Sequence, residues 1–175
     1  DDRLEEDRQR ALFFFENIAH AYGQTLEFAV QSRLEAAEDQ ELLTAMRKAG
    51  VSVTCIGYES PIDEELQDMR KGYSSRDMLR WTNMYHRLGF LIHAMFIWGY
   101  PSKNISASRL GPHERTRRFH RFIRQARLDT VQILRAIPLI GTELRARLEK
   151  ENRVFPLDAV PWEKYDGSYV CFQPD

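Results

Sequence analysis

Residues 76–98 read RDMLRWTNMYHRLGFLIHAMFIW, and their periodicity decides the expected fold. Trp81, Met84, Tyr85, Leu88, Leu91, Ile92 and Met95 recur at three- and four-residue intervals, the spacing of one helix face. Leu79, Phe90 and Ile97 fall on the opposite face, so the second half is apolar all round. A helix of that kind is normally enclosed by others. The stretch therefore predicts a buried central helix over about 76–98.

Outward from that helix, the same period recurs over 3–37 through Ala11, Phe15, Ile18, Ala19, Tyr22, Leu26, Ala29 and Val30. Asp39 is an expected N-cap for a short helix ending before Gly50. Pro61 starts a short acidic helix to about Lys71, and Pro112 suits the first turn of a helix running to about Ala136. A last helix is expected over roughly 139–151. Val51 to Ile56 alternates and is β-branched, so it reads as a strand, and Ser168 to Phe172 is strand-like. If those two pieces pair, Cys55 meets Cys171. The expected fold is all-α: a compact bundle of five to six helices around 76–98, with a two-stranded β patch as an option. Residues 1–153 form the helical bundle domain, and 154–175 a C-terminal tail packed on it.

Composition agrees with one globular domain. Hydrophobic residues make up 43% of the 175, which argues against bulk disorder. Two cysteines make no disulfide framework, so an intracellular location is expected, with a removed signal peptide left open. The longest apolar run, Leu88 to Tyr100, falls short of the roughly 20 residues that span a bilayer. No membrane partner is expected.

The net charge of −1 hides an asymmetry: −8 over residues 1–72, +10 over 73–153 and −3 over 154–175. Arg117, Arg121 and Arg124 gather opposite the apolar face of the 112–136 helix, with Arg127 beside them. Such a stripe either pairs internally or grips phosphates or an acidic partner. Phe13 and Phe14 flank the core residue Phe15 at 100° steps, so they need separate cover, and a partner-facing role is expected for them. The leading functional expectation is a non-enzymatic binding or regulatory domain. It engages an acidic protein surface first, RNA second, through Arg117, Arg121, Arg124, Arg127, Phe13 and Phe14. Oligomerisation is left open.

Arg115 and His120 stand in an Arg-x4-His spacing. This resembles the signature of HEPN-type ribonucleases, helical domains that cleave RNA without metal, over six residues. The resemblance implies that Arg115 and His120, at a dimer interface, support attack by a ribose hydroxyl. Thr116 follows the arginine where that family often has a more strongly polar residue. A further alternative is a helical-bundle enzyme with a pocket around His86, His93 and His120. No cofactor and no metal site is expected, since neither a Cys-x-x-Cys pair nor a His-Glu-x-x-His motif occurs. Phosphate loops and a Gly-x-Ser-x-Gly elbow are also absent. The run Asp63-Glu64-Glu65 reads as a solvated helix start.

Overall fold

The computed structural model describes residues 7–23, 25–103 and 109–174. Its centre is a four-stranded, all-parallel sheet, not a helix bundle. In chain order the elements are α1 (Arg8–Tyr22), β1 (Phe28–Ser32), α2 (Gln40–Lys48), β2 (Val51–Glu59) and α3 (Asp63–Asp68). Then come α4 (Ser75–Arg87), β3 (Leu91–Trp98), α5 (Pro112–Ala126), β4 (Thr130–Arg135) and α6 (Glu143–Lys150). A 3-10 turn at Leu34–Glu38 joins β1 to α2.

The all-α expectation fails at three places, for one reason. Each of the helices expected over 3–37, 76–98 and 112–136 is a helix followed by a strand. Strands of a parallel sheet carry near-continuous apolar runs, and a short apolar run fits helix and strand alike. The expected central helix stops at Arg87, and residues 91–98 form β3, an interior strand. The two-stranded patch does not form either: β2 pairs with β1 and β3, and Phe172 makes a single antiparallel bridge with Val154. Residues 3–6 and 24 of the first expected helix lie outside the described residues.

Strand order is β1-β2-β3-β4, the order of the chain. Parallel strands are joined by right-handed crossovers, so an order that never reverses places every crossover helix on one face. On that face Ile56, Tyr58, Ile92, Ala94 and Phe96 meet Phe119 and Phe122 of α5. The Phe96 ring centroid lies 5.6 Å from Phe119 and 6.1 Å from Phe122. The Tyr58 hydroxyl is satisfied inside this core by Thr82 Oγ1 at 2.6 Å. Cys55, His93 and Thr130 stand side by side in register on the other face, which no crossover helix covers.

Gly50 sets how closely β1 lies on the α2–β2 turn. A Cβ there would fall 2.0 Å from the Leu26 carbonyl oxygen, and the Gly50 φ of 98° also favours glycine. The tail runs along β4, where the Gly167 carbonyl accepts from Arg135 N–H at 2.8 Å. Phe172 then packs with Ala136 and Leu148 in a second small core.

Candidate functional site

In parallel α/β sheets, ligands bind beyond the carboxyl ends of the strands, where the loops diverge. A cleft of about 510 Å³ lies there, between the segments that follow β1 and β2. Ser32 and Arg33 come from the end of β1, Gly57 and Glu59 from β2, and Lys71 and Tyr73 from the segment after α3. The β1 side is anchored from α4: the Tyr85 hydroxyl donates to the Arg33 carbonyl at 2.8 Å and lies 3.2 Å from Ser32 Oγ.

The charged centre of the cleft is the pair of Glu59 and Lys71, with Nζ donating to the carboxylate at 3.0 Å. Glu59 holds φ at 61°, left-handed for a non-glycine residue. Such a conformation costs roughly 1–2 kcal/mol, and it persists only where the surroundings fix it. Burial, with the Glu35 and Glu59 carboxylates nearby, pushes the Tyr73 phenol up, so at neutral pH it is an uncharged hydrogen-bonding group. The cleft therefore offers two carboxylates, Glu35 and Glu59, two kinds of cation, a hydroxyl and a phenol. That set suits a small zwitterion or polyol better than a polyanion.

Glu65 of α3 is fully buried, so the solvated reading of that acidic run fails at Glu65, while Asp63 is exposed. Ser60 Oγ donates to it at 2.5 Å, and Arg115 reaches it from α5. Burial pushes the Glu65 carboxyl up, against the pull of those two hydrogen bonds. Asp68, one turn further, accepts from Ser102 Oγ and from Lys103 N–H at 2.6 Å.

None of the residues singled out from the sequence lines the cleft. Arg117, Arg121, Arg124 and Arg127 are exposed on the outer side of α5, where Arg117 lies 3.4 Å from Glu114. Phe13 and Phe14 are 70% and 52% exposed on α1. Arg115 is buried against Glu65 while His120 faces solvent, so they do not converge. The three histidines do not gather either: His86 faces Asp129 at 3.2 Å, His93 bonds Thr130 Oγ1 through Nδ1 at 2.9 Å, and His120 is on α5. Sequence reasoning missed Arg33, Glu59 and Lys71. The only signal was position: Arg33 just past β1, Glu59 at the end of β2 and Lys71 just past α3.

No family model matches the sequence, and no curated protein matches it. Solved structures do. The archaeal Methanocaldococcus infernus Elp3 is 20% identical with a TM-score of 0.59, over 72% of this chain and 28% of that one. TsrM from Kitasatospora setae, a radical S-adenosylmethionine methyltransferase solved with cobalamin and a [4Fe-4S] cluster, is 16% identical. Its TM-score is 0.63, over 86% of this chain and 29% of that one. The cobalamin-dependent S-adenosylmethionine radical enzyme OxsB, solved with aqua-cobalamin, is 15% identical with a TM-score of 0.63, over 95% and 29%. The chain spans less than a third of each. These neighbours are α/β enzymes, and with the sheet itself they overturn the helical readings: the non-enzymatic binding domain, the HEPN-like ribonuclease and the helical-bundle enzyme.

Iron–sulfur clusters are held by cysteine thiolates. This chain has two, Cys55 on β2 and Cys171 in the tail, and burial pushes the Cys171 thiol up. Among the described residues no three His, Cys, Asp or Glu side chains converge on a metal position. The residues present do not fit a cluster. None of the described helices is long and apolar enough to cross a membrane. At these identities the likeness extends to the fold, a parallel α/β sheet of the kind found in radical S-adenosylmethionine enzymes.

Proposed function

We propose that this chain forms part of a barrel-like α/β enzyme domain and that its cleft binds S-adenosylmethionine. The observation that carries this reading is the charged cleft beyond β1 and β2, on a fold shared with enzymes that use that ligand. Glu59 accepts from the ligand's ammonium group or ribose hydroxyls, and the Arg33 guanidinium faces its carboxylate as a planar fork. Lys71 holds the Glu59 carboxylate in place until the ligand arrives. No step runs through iron and sulfur, for which these residues are not a site.

Titration calorimetry of the chain with S-adenosylmethionine tests this. Glu59→Gln is expected to weaken binding about tenfold or more, because a hydrogen bond to a charged group is worth roughly 1.5–3 kcal/mol. Absence of heat, and of any ligand-induced rise in thermal midpoint for the folded wild type, would overturn the reading.

A further inference from the structure

We propose that Glu65, held by Arg115, is a positioning residue for the cleft: through Ser60 it sets Glu59 against Lys71. The role of the cleft rests on the preceding reading, but the positioning itself does not.

The connections are continuous. Arg115 from α5 holds the Glu65 carboxylate, and the carboxylate's other oxygen accepts from Ser60 Oγ at 2.5 Å. Ser60 Oγ in turn accepts from Ile62 N–H at 3.1 Å, and Ser60 N–H donates to the Tyr58 carbonyl at 2.8 Å. Residues 58–62 are thus tied on both sides of Glu59, whose left-handed φ needs such restraint. The same short helix delivers the partner: Lys71 N–H donates to the Leu66 carbonyl at 2.8 Å, placing Lys71 just past the end of α3. Glu65 therefore controls one member of the Glu59–Lys71 pair through Ser60, while its own helix carries the other.

Stability alone does not account for the arrangement. Replacing a buried ion pair by apolar residues of similar size is often neutral or stabilising, whereas removing one partner is costly. That asymmetry separates positioning from packing. The double variant Glu65→Met/Arg115→Met is expected to keep its thermal midpoint but lose the restraint on Ser60. The readout is reductive methylation of Lys71 in the whole chain, followed by peptide mass spectrometry, with exposed Lys48 as internal reference. In the wild type Lys71, part-buried against Glu59, is expected to react more slowly than Lys48. In the double variant its rate is expected to rise several-fold toward that of Lys48. Ser60→Ala, which leaves the ion pair in place, is expected to do the same.

An unchanged Lys71 rate in the folded double variant would overturn the proposal. If that variant does not fold, an unchanged rate in Ser60→Ala has the same force. Where the wild type binds S-adenosylmethionine, both variants should also bind it several-fold more weakly. If the wild type does not bind it, the ligand reading fails, and the Lys71 rates still decide the positioning role.

Discussion

Asp39 shows how one side chain serves both a helix end and a junction. Its carboxylate accepts from Leu42 N–H at 3.1 Å, capping α2, and from Arg8 Nε at 2.5 Å, tying α1 to α2. The Arg8 hydrogen bond holds the Asp39 carboxyl below its ordinary value, with the cap adding to the effect. The sign follows from linkage: a carboxyl depressed in the folded state stabilises above its unfolded pKa, and that stabilisation is lost as pH falls through its folded value. Asp39→Ala is expected to cost about 1 kcal/mol at pH 7. The cost should shrink when the urea titration is repeated at about pH 3, below the ordinary Asp value near 3.9. An equal cost at both pH values would mean that Asp39 acts through packing and not through its charge.

At the level of elements, the decisive events are helix endings. After α4, Gly89 N–H donates to the His86 carbonyl at 2.9 Å and Phe90 N–H to the Tyr85 carbonyl at 3.2 Å, with Gly89 at φ 81°. This is a Schellman ending. A Cβ on Gly89 would meet the Arg47 guanidinium no closer than 3.7 Å, so Gly89→Ala probes the backbone alone. It should cost about 1 kcal/mol in urea denaturation. After α5 the same hydrogen bonds recur, from Arg127 to Arg124 and from Leu128 to Ile123, but the left-handed residue is Arg127 at φ 54°. Arg127→Gly should therefore stabilise by a comparable amount, up to about 1 kcal/mol.

These two endings explain what could be read from the sequence. The stop at Gly89 carries a local turn signal, but the apolar periodicity over 76–98 ran through it, and the Arg127 stop carries none, because arginine is no turn residue. Short elements with local signals were readable, such as the α2 cap at Asp39 and the strand beginning at Val51. The cleft was not. Arg33 lies just past β1, a strand hidden in the expected first helix, and Glu59 ends β2 three residues beyond the strand expected over 51–56. Glu65 sits in an acidic run that looks solvated until α5 lays Arg115 against it.

The whole molecule exposes more surface than a closed one of its mass. Its accessible area is 10710 Å², against roughly 8,900 Å² expected for a compact 20.6 kDa monomer. The excess has identifiable sources. Among the described residues no helix layer covers one face of the sheet, although parallel sheets are normally buried on both. Among the described residues no strand pairs with the outer edges of β1 and β4, although the tail bonds the end of β4 at Arg135. On α1, which packs on α2, Phe13, Phe14 and Tyr22 are open to solvent, and on β4 Val131 and Ile133 are 41% and 45% exposed. Open strand edges with apolar flanks invite pairing with another chain. The isolated chain is therefore expected to self-associate, with sedimentation velocity showing dimers or larger species that dissociate on dilution. Phe13→Ser/Phe14→Ser should shift the distribution toward monomer and leave the thermal midpoint nearly unchanged, since neither ring is part of the core. Loss of folding in that variant would place the two phenylalanines in the core, and a wild-type monomer at every concentration would show that the open edges do not drive association.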